Sequence, residues 1–512
     1  MLWSRKKPKE PKRHPDGLPP MPETVYLARA AREVDWKRLL FLCLGGVLFV
    51  LVYFSPPWPS ARNVDGSPFP LTPEGKTSLA LVLLALTWWI FEVVPVGITG
   101  ITIGVVQALF GIRDPKAAFE DFLHPSVWFI FGSLVIGLVF TKTGLTKRAA
   151  YRMLALAGER TTVIFLGCML LTAGLAHLMP HTAAAASIFP LLRAVYVLYE
   201  DENRPTRFGK GLFMGMAFTC GAGSIVTLLG SARSPLGLGF FQEMTGREIL
   251  FPAFSHYLLP LGWTLVLVLC GYLLLLFRPE KKTIPGLRQR AQGLHARLGP
   301  MSAAERAAVV VVLATVVALA VLPFTTASRN LDKTGILLVS TILFFVLRIL
   351  TVKDLQDLPW NLVLFFGGAM SAGSCLVRTG AADWLALSYI QALPDLSPLA
   401  LLAVTVFLVF LTINWMMNVA VVAIAIPVGL AVALRAGISP EVMLFALLAV
   451  AGTPFLLLYG SAPNVIAYGS GQFSQAEFFR VGVGATLLFA LVLASFVLWV
   501  WPPLGLPLLS GP

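Results

Sequence analysis

Carboxylates are scarce in this chain, with 26 Asp and Glu among 512 residues against 39 Lys and Arg. Neither H-x-x-x-D nor D-D-x-x-D spacing occurs in its apolar stretches, so a membrane-embedded enzyme working on a lipid phosphate through paired bases or an acidic metal cluster finds no support. There is no G-x-x-x-x-G-K-[ST] loop and no polar segment large enough for a nucleotide-binding domain, which speaks against an ATP-driven pump. The five cysteines (Cys43, Cys168, Cys220, Cys270, Cys375) stand singly in apolar surroundings without C-x-x-C spacing, and read as small buried hydrophobes, not as disulfides or metal ligands. Charge is also thin, at 13% of residues, while 57% are apolar. A soluble protein of this length could not hide that much apolar surface, so the bilayer must be its solvent.

A spanning helix needs roughly 20 mostly apolar residues. Runs of that kind recur at 39–54, 79–94, 163–178, 258–277, 307–322, 336–350, 399–413, 442–459 and 481–500, with shorter or Gly-interrupted runs between. The fold class is therefore an all-α polytopic membrane protein, with about eleven crossings expected. The excess charge is concentrated. Residues 1–38 hold ten Lys or Arg against five acids, and residues 278–297 hold six against one. By the positive-inside rule both segments face the cytoplasm, which places the protein in the plasma (inner) membrane with a cytoplasmic N-terminus. These basic stretches flank apolar helices and lack interleaved aromatics, so topology and anionic lipid explain them better than nucleic acid does. No cleavable signal peptide is visible, because the first apolar run begins too far in and is too long.

The chain carries the same motifs twice in the same order. Phe131-Gly132-Ser133 with Lys142-Thr143-Gly144 is echoed by Phe366-Gly367-Gly368 with Arg378-Thr379-Gly380; the offset 367−132 is 235. His181-Thr182-Ala183 with Pro190 is echoed by Asn418-Val419-Ala420 with Pro427, at offset 418−181 = 237. Gly230-Ser231-Ala232 is echoed by Gly460-Ser461-Ala462, at offset 460−230 = 230. The expected organisation is a basic tail (1–38), a first helix and loop (39–69), repeat 1 (70–280), a basic connector (281–304), repeat 2 (305–503) and a short tail (504–512). Two inverted repeats with re-entrant hairpins and broken helices are the usual way to place such pieces at one midplane site. Each repeat is expected to supply a short Gly-rich hairpin around Phe131 or Phe366, an interrupted helix at His181 or Asn418, and a Gly-Ser-Ala loop. The bases Lys142, Lys147, Arg148 and Arg378 are expected together at the cytoplasmic face.

These motifs resemble the divalent anion/sodium symporter family of dicarboxylate, citrate and sulfate carriers. The resemblance runs from Leu71 to Val500. It starts with Leu71-Thr72-Pro73-Glu74-Gly75 and Trp88-Trp89-Ile90-Phe91-Glu92-Val93-Val94-Pro95. It continues through Pro125-Ser126-Val127-Trp128 and Leu358-Pro359-Trp360-Asn361, and is best in Gly460-Ser461-Ala462-Pro463-Asn464-Val465-Ile466. What the resemblance implies is a homodimer in which a transport domain slides against a scaffold, elevator fashion. It also implies a Ser-Asn-Thr triplet in each repeat that holds substrate carboxylates and helps to coordinate Na⁺. Here the chain departs from its relatives. The first triplet reads Pro180-His181-Thr182 and the second Met417-Asn418-Val419, while Arg233-Ser234 stands where the first loop should have Pro-Asn.

Sodium wants several oxygen ligands, and these substitutions delete side-chain oxygens from both sites. A guanidinium at Arg233 could do sodium's electrostatic work instead, since Arg is always charged and its fork suits carboxylate, sulfate or phosphate. The substrate-binding set expected on this basis is His181, Thr182, Ser231, Arg233, Asn418, Ser461, Pro463 and Asn464. The imidazole of His181 would suit proton coupling, whereas His177 reads as a packing residue. The competing account of Arg233 is a loop-end side chain that snorkels to the interface. No organic cofactor or fixed metal is expected, and Na⁺ is doubtful as the coupling ion. The function that results is secondary transport, by symport or antiport, of a small anion such as a di- or tricarboxylate or sulfate. The alternatives are an anion channel or a proton or metal-oxyanion carrier on the same scaffold, and, further off, the membrane-embedded enzyme already disfavoured.

Overall fold

The computed structural model describes residues 35–63, 65–200, 204–325 and 332–509. Most of the basic N-terminal tail therefore lies outside the described residues. The described chain is an all-α polytopic membrane protein. Its only sheet is a two-residue hairpin pairing Ala61–Arg62 with Pro68–Phe69. Nine helices are long and apolar enough to cross a bilayer, and four shorter apolar helices accompany them among the described residues.

The first half comprises α1 (Trp36–Tyr53), α2 (Pro73–Ile90), α3 (Val96–Leu109), α4 (Pro125–Thr143), α5 (Leu145–Ala157), α6 (Thr161–Leu178), α7 (His181–Tyr199), α8 (Arg207–Gly223), α9 (Arg233–Thr245) and α10 (Phe251–Leu276). The short connector helix α11 (Leu287–Arg297) follows. The second half comprises α12 (Ala303–Val321), α13 (Lys333–Val346), α14 (Trp360–Arg378), α15 (Ala381–Ala392), α16 (Pro398–Ile413), α17 (Asn418–Ala436), α18 (Pro440–Ala451), α19 (Ala462–Tyr468) and α20 (Gln475–Ser495). Helix starts follow local chemistry. Thr72 caps α2 with Pro73 at its first position, and Ser302 with Glu305 and Ser474 with Glu477 form reciprocal capping boxes on α12 and α20.

Polar ties fix which helix ends share a side of the bundle. At the end that carries the basic connector, Thr161 bonds the carbonyls of Lys281 and Lys282, and Glu280 accepts from Tyr199 and from the first amides of α8. Arg148 pairs with Glu305 there, Lys210 with Glu477, and Lys142 with Asp354; the Lys142 hydrogen bond holds the Asp354 carboxyl at about 2. At the opposite end, Arg378 pairs with Glu243, Arg247 with Glu441, Lys333 with Glu248, and Trp501 donates to the Tyr257 carbonyl. Lys142 and Arg378 thus lie at opposite ends, against the expectation that both sit at one face. Helix α4 runs toward the basic end and its sequence counterpart α14 runs away from it.

The hairpins also differ from expectation. Phe131 and Phe366 lie inside unbroken 19-residue helices, α4 and α14, and do not form short hairpins. Their glycines serve close packing. A Cβ on Gly132 would meet Leu337 at 2.6 Å, and one on Gly367 would meet Phe122 at 2.5 Å; Gly368 lies against the backbone of Gly100 in α3. Small residues let membrane helices approach at backbone distance, where dispersion and not the hydrophobic effect holds them. The true hairpins are α6–α7, which opens at the basic end, and α16–α17, which opens at the other. Both turn inside the bundle, at Met179–Pro180 and at Asn414–Met417.

Candidate functional site

Each hairpin tip faces a break in a neighbouring crossing. Pro180 enters α7 in an extended conformation (φ −51°, ψ 133°) and has no N–H to satisfy, so His181 becomes the first residue of α7. Met417 plays the same part before Asn418 at the start of α17. The first break spans Ser224 to Ala232 between α8 and α9, and the second spans Gly452 to Ser461 between α18 and α19. Both carry one 3₁₀ turn, Leu228–Gly230 or Leu458–Gly460, followed by an extended serine, Ser231 (φ −158°) or Ser461 (φ −153°). Irregular backbone at membrane depth must have its polar groups satisfied by the protein. Thr227 accordingly donates to the His177 carbonyl, and Asn414 Oδ1 accepts from Leu456 N at 3.0 Å and Leu457 N at 3.3 Å. Gly230 and Gly460 are required by proximity: a Cβ on Gly230 would run onto the carbonyls of Ala176 and Ser224, and one on Gly460 would meet Pro454 at 2.6 Å and the Ile413 carbonyl at 2.8 Å.

Arg233 is the first residue of α9 and is 1% exposed. Its Nε donates to the Leu448 carbonyl at 3.2 Å, and its Nη2 donates to Ser224 Oγ at 2.9 Å. Its Nη1 is buried without a hydrogen-bond partner. No Asp or Glu among the described residues forms an ion pair with it; the one ion pair buried on both sides joins Arg113 to Asp121. The α-carbon of Gly452 lies against the guanidinium, so close that a Cβ there would overlap Nη2 and meet Cζ at 2.8 Å. The cation therefore sits where α8 and α18, entering from opposite ends, both terminate. Their carbonyl ends carry partial negative charge and favour a cation. Arg233 does not snorkel to an interface.

The other expected residues divide into two groups. His181 belongs to the first break: its carbonyl accepts from Cys220 Sγ in α8 at 3.1 Å, and its Nδ1 is buried without a partner. Ser231 is buried and its Oγ accepts from the Arg233 amide at 3.3 Å. Thr182 is exposed. Asn418, Ser461, Pro463 and Asn464 gather at the second break and are all buried. Asn464 turns its amide nitrogen into the loop, donating to the carbonyls of Pro454 (2.8 Å) and Leu457 (3.2 Å). The two groups interlock, since α9 packs on α17 while α19 packs on α7. No hydrogen bond joins Arg233 to Asn418 or Asn464 among the described residues. His177 lies edge-on to Trp263 with ring centroids 5.4 Å apart, and both of its ring nitrogens are buried without a hydrogen-bond partner.

Ser224, Gly452, the Leu448 carbonyl and Asn414 escaped the sequence reading. A signal existed for two of them: Gly223-Ser224 and Gly452-Thr453 stand 452−223 = 229 apart, continuing the loop offset. A backbone carbonyl leaves no sequence trace at all.

Residues 66–507 match the family described as the sodium:sulfate symporter transmembrane region. The chain belongs to this family. Among its relatives is the sodium-dependent dicarboxylate transporter SdcS of Staphylococcus saprophyticus, 24% identical over 490 residues that cover 91% of this chain and 92% of that protein. SdcS of Staphylococcus aureus is 25% identical over 500 residues, covering 91% of each. Two solved structures share the fold. MtrF of Neisseria gonorrhoeae superposes with a TM-score of 0.55 at 13% identity, covering 93% of this chain and 96% of its own. The YdaH transporter of Alcanivorax borkumensis gives 0.53 at 14% identity, covering 96% and 100%. This family member is thus a multi-pass membrane transporter of small anions and not an enzyme.

Proposed function

We propose that this sodium:sulfate symporter family member is a secondary active transporter of a di- or tricarboxylate or a sulfate-like anion, in which Arg233 stands permanently where relatives admit a coupling Na⁺. The observation that carries this reading is a buried guanidinium without a carboxylate partner at the meeting of two helix C-termini. A charge at the centre of a membrane helix costs about 3 kcal/mol on insertion scales, so an unneutralised one is retained for a function. Sodium does not fit beside it, because the Leu448 carbonyl and the Ser224 hydroxyl that would ligate an ion already accept from Arg233.

Arg233 is too buried to be the first group that an incoming anion meets. It acts as a fixed positive charge under the first loop. The groups around it, His181 and Thr182 at one tip with Ser231 in the first break, and Asn418 at the other tip with Ser461 in the second break, form the cradle. Asn464 and Pro463 shape the second loop beneath them. The opposed directions of α4 and α14, and of the two hairpins, support inverted repeats at about 70–280 and 305–503, with their broken elements meeting at one midplane site. That arrangement suits an elevator movement in a homodimer, and the basic connector end suits the cytoplasm.

The test is uptake of labelled succinate, citrate and sulfate into proteoliposomes with Na⁺ absent from both sides. Saturable accumulation of at least one is expected, cut by excess unlabelled anion. Anion currents that never saturate would replace the carrier with a channel.

A further inference from the structure

Near the basic end lies a cavity of about 590 Å³ between α5, α7 and the connector helix α11. Its wall is apolar, with Leu154, Leu191 and Leu287 on the three helices in turn. Three cations stand over it, one from each helix: Lys147, Arg193 and Arg290. No acid lines the cavity, and the three side chains make no ion pair or hydrogen bond among the described residues. This is unlike Lys142, Arg148, Lys210 and Lys281 at the same end, each of which has a carboxylate partner. Helices α5 and α11, at 13 and 11 residues, are too short to cross a bilayer. Each turns a cation and at least one leucine toward the cavity together, Lys147 with Leu154 and Arg290 with Leu287 and Leu294.

We infer that this cavity is a binding site for one anionic phospholipid. The phosphate sits among Lys147, Arg193 and Arg290, and an acyl chain runs along the leucine wall. Charge complementarity argues for the headgroup: three cations lining one cavity without an acid match one phosphodiester and repel any cationic occupant. The apolar wall argues against a free anion, which would leave most of the cavity unfilled. The site also has a consequence for transport. One of its walls is α7, whose other end is His181 at the hairpin tip. The other walls are helices outside the hairpin, so a lipid here spans the hairpin and its surroundings.

The experiment uses the full-length protein purified in zwitterionic detergent, with phosphatidylglycerol, phosphatidylcholine or inorganic phosphate as the added probe. Bound lipid is read by native mass spectrometry and protection by the thermal melting midpoint. Each surface cation strengthens anionic-lipid binding roughly fivefold, so K147Q/R193Q/R290Q should bind phosphatidylglycerol about a hundredfold more weakly than wild type. A control with the same charge change at the same end, R152Q/R288Q/R297Q, should bind it like wild type. If the triple variant is not monodisperse on size exclusion, R290Q alone, on the exposed face of the connector, should weaken binding about fivefold. Equal weakening in both triple variants, wild-type binding by the first, or the same protection by inorganic phosphate would each overturn the proposal.

Discussion

Replacing Arg233 by Met should lower anion uptake about a hundredfold while leaving the protein monodisperse. A unit charge about 6 Å from a bound anion, at an effective dielectric of about 20, contributes roughly 3 kcal/mol. Each 1.4 kcal/mol is a factor of about ten in affinity. Met fills most of the volume and removes the charge, so the loss reports electrostatics more than packing. Arg233→Lys keeps the charge but cannot bond the Leu448 carbonyl and Ser224 Oγ together from one planar fork. It should recover part of the activity, between Met and wild type. Uptake by Arg233→Met at the wild-type rate, with normal folding, would remove Arg233 from the account.

The second large effect is expected at a residue without a side chain. Gly452→Ala puts a methyl group where Nη2 and Cζ of Arg233 now lie, with Ile225 at 3.1 Å behind. The guanidinium cannot yield freely, because it is held on two sides. It must leave the Leu448 carbonyl, the Ser224 hydroxyl or both. Hydrogen bonds to charged groups contribute about 1.5–3 kcal/mol each, so a loss of tenfold or more in uptake is expected. Gly271→Ala in α10, where a Cβ would meet nothing within 4 Å, is the matched control and should transport normally. Comparable rates for the two variants would mean that the guanidinium's position is irrelevant to transport.

These two sites also mark how far the sequence could be read. The helical membrane fold follows from apolar runs of spanning length, and the family follows from motifs in a fixed order from Leu71 onward. The starts of α7 and α17 were legible because Pro180 cannot extend a helix and because the triplets align around it. Gly132, Gly367 and Gly368 misled, because glycine in a membrane helix marks either a turn or a close approach, and here Leu337, Phe122 and Gly100 come close. The shared face assumed for Lys142 and Arg378 failed for a related reason. Each ends a helix in the same sequence pattern, but α4 and α14 run in opposite directions, and direction is not written in a local motif. The partners of Arg233 are a backbone carbonyl 215 residues away and a serine at a helix end, neither of which has a sequence signature.

The buried guanidinium of Arg233 makes the coupling question sharp. The decisive measurement is the initial rate of uptake of a transported dicarboxylate into proteoliposomes under an inward Na⁺ gradient, compared with equimolar choline at the same membrane potential. The fixed-cation account predicts equal rates, because in it Arg233 takes the place of the coupling Na⁺. A rate that rises steeply and saturably with external Na⁺ would contradict it, and would mean that sodium is bound by backbone carbonyls the guanidinium does not occupy.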